Sequence, residues 1–339
     1  MPDKEVIEKI FEGFNRKKVM IIGDVMGDAY LWGHVDRISP EAPVPIVSVN
    51  KRENRLGGAA NVALNIRSLG AEPILCSVIG KDQKGDEFIG LLEKDGLTTR
   101  GIIKSHDRIT TTKFRVIGNK MQMLRVDEEV TEDLTDNDIR VFDNNVKNII
   151  QKEDIACIIF QDYNKGVLTN GLIHEIIKTA NENNIPVVVD PKKQNFDAYH
   201  HISLFKPNLK ELKEGLNLEI DPTNANELAN AIQLLHKNQD IEMVMTTLSE
   251  KGVFISYKCS EKKYEYQHIP AHVRSISDVS GAGDTVVSVA ALAYVLKLPP
   301  GLMAGIANLA GGIVCEEVGV VPIDKEKLKK ESIKIFTTP

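Results

Sequence analysis

The sequence predicts an α/β fold in which a mostly parallel central sheet is covered by helices on both faces. The first observation is a series of short apolar runs, typical of buried parallel strands, at residues 74–79, 155–160, 186–189, 202–205 and 243–246. The second is that segments of helical periodicity, such as 172–180 and 227–235, lie between these runs, as in βαβ units. The third is length: 339 residues fit one large domain with a small appendage, so we expect residues 1–339 to form a single domain.

The first elements of this fold begin at the N-terminus. Apolar residues at helical spacing predict a helix over residues 3–14, and the apolar run 19–22 predicts a central strand. Asp24 and Asp28 follow that strand, at the sheet edge where open α/β sheets bind ligands. Turn formation and helix capping are alternative explanations for both aspartates. The spacing is not the G-x-G-x-x-G of dinucleotide sites, so a Rossmann dehydrogenase is disfavoured.

Two segments predict a small second sheet outside the central one. Residues 37–49 contain three prolines within six residues, which excludes a central strand or a helix and favours an edge strand. Two alternating runs, 111–118 and 121–126, flank Gly118-Asn119-Lys120 and predict a hairpin. We expect these pieces to form a β-lid over the strand ends, from segments at about 33–52 and 110–127.

Composition and charge disfavour several classes of protein. The formal net charge is −6, from 42 Lys+Arg and 48 Asp+Glu, whereas nucleic-acid-binding proteins normally show a basic surplus. The four cysteines lie far apart without C-x-x-C spacing, so zinc sites and disulfide frameworks are not expected. The first residues lack the apolar segment of a signal peptide, and no uncharged stretch is long enough to span a membrane. We therefore expect a soluble cytoplasmic protein that binds neither nucleic acid nor membranes.

Residues 278–296 combine a glycine-rich turn with an apolar helix. The run 286–296 is uncharged and ends before two prolines, which predicts a helix buried on most sides. Gly281, Ala282 and Gly283 then lie at its first turn, where backbone N–H groups lack partners and small residues let an anion approach. Asp284 beside them could accept the proton of a hydroxyl that attacks a phosphate. A capped helix after a flexible turn is the alternative.

Further polar residues are predicted to gather at the same edge of the sheet. Polar clusters follow the strands at 162–166, 190–193 and 206–211, and each is explained either by turn chemistry or by a ligand crevice. Gly57-Gly58 ends a loop before an alanine-rich helix, which close helix–sheet packing also explains. Asn61, in the first turn of that helix, could bind a ligand hydroxyl or be a satisfied core amide.

Three of these motifs, taken in order, resemble those of the ribokinase-like (PfkB) carbohydrate kinases over nearly the full chain. They are Gly57-Gly58-Ala59-Ala60-Asn61-Val62-Ala63, Asn208-x-x-Glu211 and residues 278–284. The resemblance implies a central sheet with flanking helices, a β-lid, and the use of ATP with a divalent cation, normally Mg²⁺. By position it also implies that Asp284 activates the acceptor hydroxyl, that Gly281, Ala282 and Gly283 form the anion hole, that Asn208 and Glu211 organise metal and phosphates, and that Asp28, Gly57, Gly58 and Asn61 line the sugar site.

One motif departs from the pattern of these kinases. They usually carry a Thr-x-Gly after a late strand near the nucleotide, whereas this sequence reads Thr247-Leu248-Ser249-Glu250-Lys251-Gly252, with Ser249 at the glycine position. We expect Thr247, Ser249 and Gly252 to lie near the nucleotide and the backbone still to make the turn.

A narrower resemblance is to the D-glycero-D-manno-heptose 7-phosphate kinases, which make the 1,7-bisphosphate on the route to ADP-heptose for lipopolysaccharide. It depends on Gly23-Asp24-Val25-Met26-x-Asp28, on residues 37–45 and on Asp162-Tyr163-x-Lys165-Gly166. It implies phosphorylation at the anomeric hydroxyl, and we expect Asp162, Lys165 and Lys192 in the substrate site. Many such kinases are fused to a nucleotidyltransferase; because the kinase motifs end shortly before Pro339, we expect a separate protein to supply that activity.

Basic residues near the predicted crevice suit a substrate that already carries a phosphate, with surface solvation as the alternative. They are Arg37, Lys113, Arg115, Arg125, Lys165 and Lys192. A kinase for another sugar or nucleoside, or a non-catalytic sugar sensor, are the competing functions. Because a Pro-rich apolar edge strand leaves apolar surface exposed, we also expect a homodimer that pairs through the lids.

Overall fold

Strands and helices alternate along most of the chain. The computed structural model describes residues 2–260, 263–272 and 274–337. The strands in these ranges are β1 (Lys18–Gly23), β2 (Val25–Ile38), β3 (Pro45–Gly58), β4 (Glu72–Gly80), β5 (Gly101–Ser105), β6 (Thr112–Gly118), β7 (Met121–Glu128), β8 (Ile155–Gln161), β9 (Val187–Asp190), β10 (Leu204–Phe205), β11 (Met243–Thr247), β12 (Val253–Ser260) and β13 (Lys263–Ile269). The α-helices are α1 (Lys4–Gly13), α2 (Ala59–Ser68), α3 (Gln83–Lys94), α4 (Asp136–Lys152), α5 (Asn170–Glu182), α6 (Leu209–Leu216), α7 (Ala225–Asn238), α8 (Ala282–Val295), α9 (Pro300–Val314) and α10 (Lys325–Phe336).

A large sheet separates the helices into two layers. Within the described ranges it has nine strands in the order β13-β12-β11-β10-β9-β8-β1-β4-β5. Neighbours from β11 to β5 pair in parallel, and β12 and β13 add an antiparallel edge. One apolar cluster joins this sheet to α1, α2, α3, α8, α9 and α10, and a second joins it to α4, α5, α6 and α7. The predicted α/β fold with a mostly parallel, doubly covered sheet is therefore confirmed.

Where the sequence predicts both ends of a strand of this sheet or of a covering helix, the structure agrees to within four residues. The strands predicted from apolar runs are β1, β4, β8, β9, β10 and β11, and the predicted helices are α1, α5, α7 and α8. The predicted set does not include β5, β12 and β13. β13 lies at the edge of the sheet and is largely exposed, so it carries charged and polar residues instead of an apolar run. In the part of the chain that the structure describes, no helix combines the length and the apolar character needed to cross a bilayer.

A second sheet projects from the first at the end of β1. It has the order β3-β2-β6-β7, with β2 and β6 parallel and the outer pairs antiparallel. The segments predicted at 33–52 and 110–127 fall in this sheet, which is longer than predicted because β2 begins at Val25 and β3 ends at Gly58. Pro40 and Pro43 lie in the connection between β2 and β3, and Pro45 begins the edge strand β3, where a missing N–H is tolerated. That this sheet acts as a lid stays a prediction.

Candidate active site

The start of α8 is a backbone site without a side-chain cap. Gly281, its N-cap residue, has φ +79°, a left-handed conformation that favours glycine. A Cβ at this position would also lie 2.9 Å from Asn61 Nδ2, because α8 packs against α2. The structure therefore has Gly281, Ala282 and Gly283 where the sequence predicts them, at the N-terminus of a helix. The positive end of the helix dipole lies there, and the small side chains leave the backbone N–H groups accessible.

Asp284, in the first turn of α8, is buried and held from two sides. Asn61 Nδ2 donates to its Oδ2 at 2.7 Å, and the Tyr163 hydroxyl donates to its Oδ1 at 2.8 Å. Burial raises the pKa of Asp284 to about 6, and Asp190 adds to the rise, whereas the two hydrogen bonds and Lys206 lower it. A carboxyl with this pKa is mostly ionised at neutral pH and still basic enough to take a proton. The Asn61 amide is thus bonded inside the protein, and its binding of a ligand hydroxyl stays a prediction.

A buried ion pair lies next to the start of α8. Lys206 Nζ is 3.1 Å from Asp190 Oδ1, and Gln161 Nε2 donates to Asp190 Oδ2 at 3.2 Å. A Cβ on Gly283 would lie 3.8 Å from Lys206 Nζ, so the ammonium is close to the helix N-terminus. In the sequence, both residues stand out only as members of polar clusters that follow strands. Their position could have indicated a role in the site, because Asp190 ends β9 and Lys206 directly follows β10 at the same edge of the sheet.

Asn208 and Glu211 form a capping box at the start of α6. Asn208 Oδ1 accepts from the Glu211 N–H at 2.9 Å, and Glu211 Oε2 accepts from the Asn208 N–H at 2.8 Å. The other oxygen of Glu211 pairs with Lys192, whose ammonium also lies 5.7 Å from the centre of the Tyr163 ring. Lys192 therefore connects Glu211 with the surroundings of Asp284.

These residues are compatible with a magnesium ion that arrives with a phosphorylated ligand. Among the described residues, no three His, Cys, Asp or Glu side chains gather into a metal cage. Mg²⁺ usually keeps several waters and is held by one or two carboxylates together with substrate phosphates. Glu211 is a single carboxylate that pairs with Lys192, so it could contribute to such a site as one ligand or through a bound water.

The predicted nucleotide residues follow β11, beside this cap. The Thr247 N–H donates to the Pro207 carbonyl at 3.1 Å, and Thr247 bridges to Asn208. Ser249 has φ +56°, so this serine adopts the left-handed conformation that a glycine would take there more readily. The backbone makes the turn, as predicted, and it ends at Gly252. Nucleotide contacts of Thr247, Ser249 and Gly252 stay a prediction.

The loop after β8 is held by two buried carboxylates. Asp24 accepts from the backbone N–H groups of Tyr163, Lys165 and Val167 at 2.9, 3.1 and 3.0 Å. Asp162 is fully buried and accepts from Asn195 Nδ2, the Tyr199 hydroxyl and the Asn164 N–H. The expectation that Asp162 contacts the substrate is therefore wrong, because its carboxylate points into the protein and is bound there. Lys165 Nζ is 2.7 Å from Glu129 Oε1, and its role toward a substrate stays a prediction.

One face of the second sheet carries cations toward the start of α8. Arg115 Nη1 is 2.5 Å from Asp28 Oδ1, and the Arg115 and Arg55 guanidinium carbons lie 5.2 and 5.1 Å from the centre of the Tyr30 ring. A Cβ on Gly319 would lie 2.7 Å from Arg55 Nη1, and Val320 borders Gly281. We call Asp28, Tyr30, Arg55 and Arg115 the lid face, and Asn61, Asp190, Lys206 and Asp284 the crevice floor.

The two predicted glycines lie where the lid face meets the crevice floor. A Cβ on Gly57 would come within 2.6 Å of Asp28 Oδ2, so glycine is needed for this close approach. Gly58 is the N-cap residue of α2, which carries Asn61. Of the other predicted cations, Arg37 and Arg125 are exposed, and Arg125 pairs with Asp127. The structure thus brings Asp28, Gly57, Gly58, Asn61 and Asp284 together, as the sequence predicts. It adds four residues that were not predicted as site residues: Tyr163, Asp190, Lys206 and Arg55.

Comparisons with known proteins agree with this arrangement. The family model described as "pfkB family carbohydrate kinase" matches residues 16–327. The chain is 39% identical over 304 residues to the "Bifunctional protein HldE" of Helicobacter pylori (strain J99), covering 89% of this chain and 64% of the relative. It is also 39% identical over 304 residues to the protein of the same name from Aliarcobacter butzleri, covering 90% of this chain and 62% of that relative. The chain therefore spans less than two thirds of the length of these relatives.

Solved structures share the fold at low sequence identity. Phosphofructokinase-2 from Escherichia coli in complex with potassium aligns with a TM-score of 0.75 and 16% identity, over 94% of this chain and 99% of that one. Ribokinase from Arabidopsis thaliana, complexed with ribose and ATP, aligns with a TM-score of 0.67 and 18% identity, over 93% of this chain and 99% of that one. The predicted ribokinase-like fold is confirmed by these neighbours. From the match to the family model over most of its length, the chain belongs to the pfkB family of carbohydrate kinases.

Proposed function

We propose that the protein transfers the terminal phosphoryl group of ATP to the anomeric hydroxyl of D-glycero-D-manno-heptose 7-phosphate, giving the 1,7-bisphosphate. The observation that carries the proposal is Asp284, a buried carboxylate in the first turn of a helix whose N-terminal N–H groups lack a side-chain cap. A proton acceptor and an anion-binding backbone are thus side by side. Phosphoryl transfer needs little more than positioning, charge stabilisation and one such base.

Each group on the crevice floor has a part in this reaction. Asp284 takes the proton of the acceptor hydroxyl, while the N–H groups of Gly281 and Gly283 stabilise charge on the phosphoryl group in transfer. Lys206, paired with Asp190 beside Gly283, adds positive charge where water is excluded and electrostatic interactions are strong. Magnesium, held by Glu211 and the ligand's phosphates, would neutralise further phosphate charge.

The lid face supports a sugar that already carries a phosphate. Asp28 and Asn61 can bind sugar hydroxyls, and Arg55 and Arg115 flank Tyr30 on the side of the lid sheet that reaches Gly319. Guanidinium groups bind phosphate oxygens in a fixed, often bidentate geometry. The heptose itself is supported by the sequence resemblance at residues 37–45 and 162–166.

A substrate panel tests the proposal. With ATP and Mg²⁺, we compare heptose 7-phosphate, unphosphorylated heptose, ribose, fructose and adenosine at equal concentration, and examine the product for a phosphate at the anomeric carbon. We expect heptose 7-phosphate to be preferred over heptose by about 100-fold or more, the effect of two lost charge-assisted contacts. A preference for ribose or adenosine would contradict the heptose assignment. Binding of sugar and ATP without any turnover would identify a sensor instead.

We also propose a homodimer that pairs through the second sheet. All eight residues of its edge strand β7 are exposed, and they include the apolar Met121, Met123, Leu124 and Val126. An exposed strand edge with apolar side chains is a surface that another chain can cover. A second copy presents the same edge and can cover it symmetrically.

A further inference from the structure

We propose that Tyr163 is a positioning residue for the transfer reaction: its hydroxyl, together with the Asn61 amide, fixes the plane of the Asp284 carboxylate and favours its ionised form. The inference rests on the proposed function of Asp284 as the base. Tyr163 donates to Oδ1 at 2.8 Å and Asn61 to Oδ2 at 2.7 Å, so each oxygen has one protein donor. A carboxylate oxygen accepts about two hydrogen bonds, so each still has capacity for an acceptor hydroxyl.

The position of Tyr163 is built into the fold. Its own backbone N–H donates to Asp24, and the N–H groups of Lys165 and Val167 donate to the same buried carboxylate. Asp162 Oδ1 accepts from the Asn164 N–H and so holds the next part of the loop. Two buried carboxylates therefore fix a short loop, and this loop directs the phenol of Tyr163 at Asp284. This arrangement explains why Asp162 in the loop, and Asp24 between β1 and β2, are bound inside the protein.

The charged groups around Asp284 make a neutral donor useful. Asp190 at the end of β9 opposes the ionised form of Asp284, and Lys206 after β10 favours it. Asp28 on the second sheet and Lys192 after β9 lie around Tyr163 rather than against Asp284. Burial and the nearby carboxylates raise the pKa of Tyr163 well above its ordinary value, so the phenol stays protonated and keeps its hydrogen for donation. A hydrogen bond to the charged form of an acid lowers its pKa.

The test is a titration of Asp284 in the resting protein, which needs no substrate. The Asp284 carboxyl carbon is followed by ¹³C NMR in aspartate-labelled protein and assigned with Asp284→Asn. In Tyr163→Phe we expect its midpoint to rise by roughly one to two pH units, the size of one hydrogen bond to a carboxylate. The acidic limb of kcat/KM should move by the same amount. At pH values above this limb the variant should regain most of the wild-type kcat.

Tyr199→Phe is the matched control. Tyr199 is also a buried tyrosine whose hydroxyl donates to an aspartate, at 3.0 Å to Asp162, but that aspartate lies outside the crevice. The control removes an equivalent hydrogen bond, so a loss of stability alone affects both variants. It should leave the Asp284 midpoint unchanged. An equal shift in both variants, or no shift in Tyr163→Phe, overturns the proposal.

A second variant covers the case in which Tyr163→Phe does not fold. Replacement of Tyr163 by 3-fluorotyrosine keeps the side chain and makes its phenol a stronger donor, so the Asp284 midpoint should fall. An unchanged or raised midpoint overturns the proposal. The outcomes also separate the two levels of inference. A shifted midpoint in a protein that phosphorylates no sugar refutes the proposed function alone, and an active kinase without the shift refutes the role of Tyr163 alone.

Discussion

The crevice floor and the lid face carry similar side chains but hold them differently. On the floor, Asp284, Asp190 and Lys206 are at most 5% exposed, and each bonds to another buried group. On the lid face, the Arg115 and Arg55 side chains are 20% and 29% exposed and stack on a tyrosine. Under the proposed function, the groups of the transfer step are held inside the packed domain, whereas the cations proposed to recognise the substrate phosphate are partly exposed.

Physical chemistry gives the reason for this division. Charges in a dry, rigid site interact strongly and need no reorganisation during the reaction, so they suit the transfer step. Partly exposed cations are screened by solvent and bind their anionic partners more weakly, so they can exchange one anion for another. Arg115 holds Asp28 in this structure, and a substrate phosphate could share the same guanidinium. Changes on the floor should therefore alter rate, and changes on the lid face should alter selectivity.

The largest effect is expected from the floor. Asp284→Asn keeps the size of the side chain but removes the proton acceptor, so kcat should fall by roughly 10²- to 10⁴-fold. Because the pKa of Asp284 is raised to about 6, the wild-type rate should decline as pH falls through about 6, where the carboxylate becomes protonated. That dependence should disappear in the variant. Steady-state rates between pH 5 and 8 measure both effects.

Asp138→Asn is the matched control for this change. Asp138 is a buried carboxylate that accepts from the Ser105 hydroxyl at 2.6 Å, and it lies on α4 away from the crevice. Asp138→Asn should lower the stability of the protein and leave the pH dependence of the rate unchanged. If Asp284→Asn kept more than about a tenth of the wild-type rate, another group would be the base.

The same comparison shows what the sequence could predict. The start of α8 could be predicted because its pattern is local: a glycine-rich turn, an acid and an apolar run lie within 19 consecutive residues, 278–296. The fold was equally accessible, because buried parallel strands are short apolar runs. Asn208-x-x-Glu211 has the pattern of a capping box, so the same motif from which a metal site is proposed also predicts the helix cap that the structure shows.

The contacts that complete the site could not be predicted in this way. Tyr163 and Asp284 are 121 positions apart, and their contact depends on β8 lying beside β1 and on the loop that Asp24 holds. Asp162 and Tyr163 are neighbours after a strand, and the sequence does not tell which of the two faces the crevice. The pairing of Asp190 with Lys206 depends likewise on β9 and β10 being adjacent in the sheet.

A smaller effect, on selectivity, is expected from the lid face. In Arg115→Met, the preference for heptose 7-phosphate over heptose should fall by about 10- to 100-fold, because a charge-assisted hydrogen bond contributes about 1.5–3 kcal/mol and about 1.4 kcal/mol is a factor of ten. The kcat of Arg115→Met at saturating heptose 7-phosphate should change little. Ratios of kcat/KM for the two sugars give the answer.

Arg125→Met is the control for Arg115. The two arginines are paired across β6 and β7, but Arg125 is exposed and bound to Asp127 at 3.0 Å. Its replacement should leave the sugar preference within about threefold, since exposed ion pairs contribute little. Equal losses in both variants would mean that the phosphate is recognised by the general field of the lid and not by Arg115.

Glu211→Gln should change the magnesium requirement more than the sugar requirement. The glutamine can still cap α6 but has lost the charge that suits a metal or its bound water, so half-saturation should need about tenfold more Mg²⁺. Glu227→Gln is the control, because Glu227 occupies the same position after Asn224 at the start of α7. Unchanged magnesium dependence with weaker sugar binding would move Glu211 into the sugar site.

The smallest effect on chemistry is expected from the outer edge of the lid sheet. Leu124 is 55% exposed on β7, and Leu124→Lys places a charge in the surface through which we propose that two copies pair. Sedimentation at micromolar concentration should show dimers for the wild type and mainly monomers for the variant, with kcat on saturating substrate reduced by no more than a few-fold. Leu234→Lys, at a leucine 40% exposed on α7, is the control that should remain dimeric. A monomeric wild type would refute the dimer outright, and a monomeric variant without activity would show that the lid edge contributes to the site as well as to assembly.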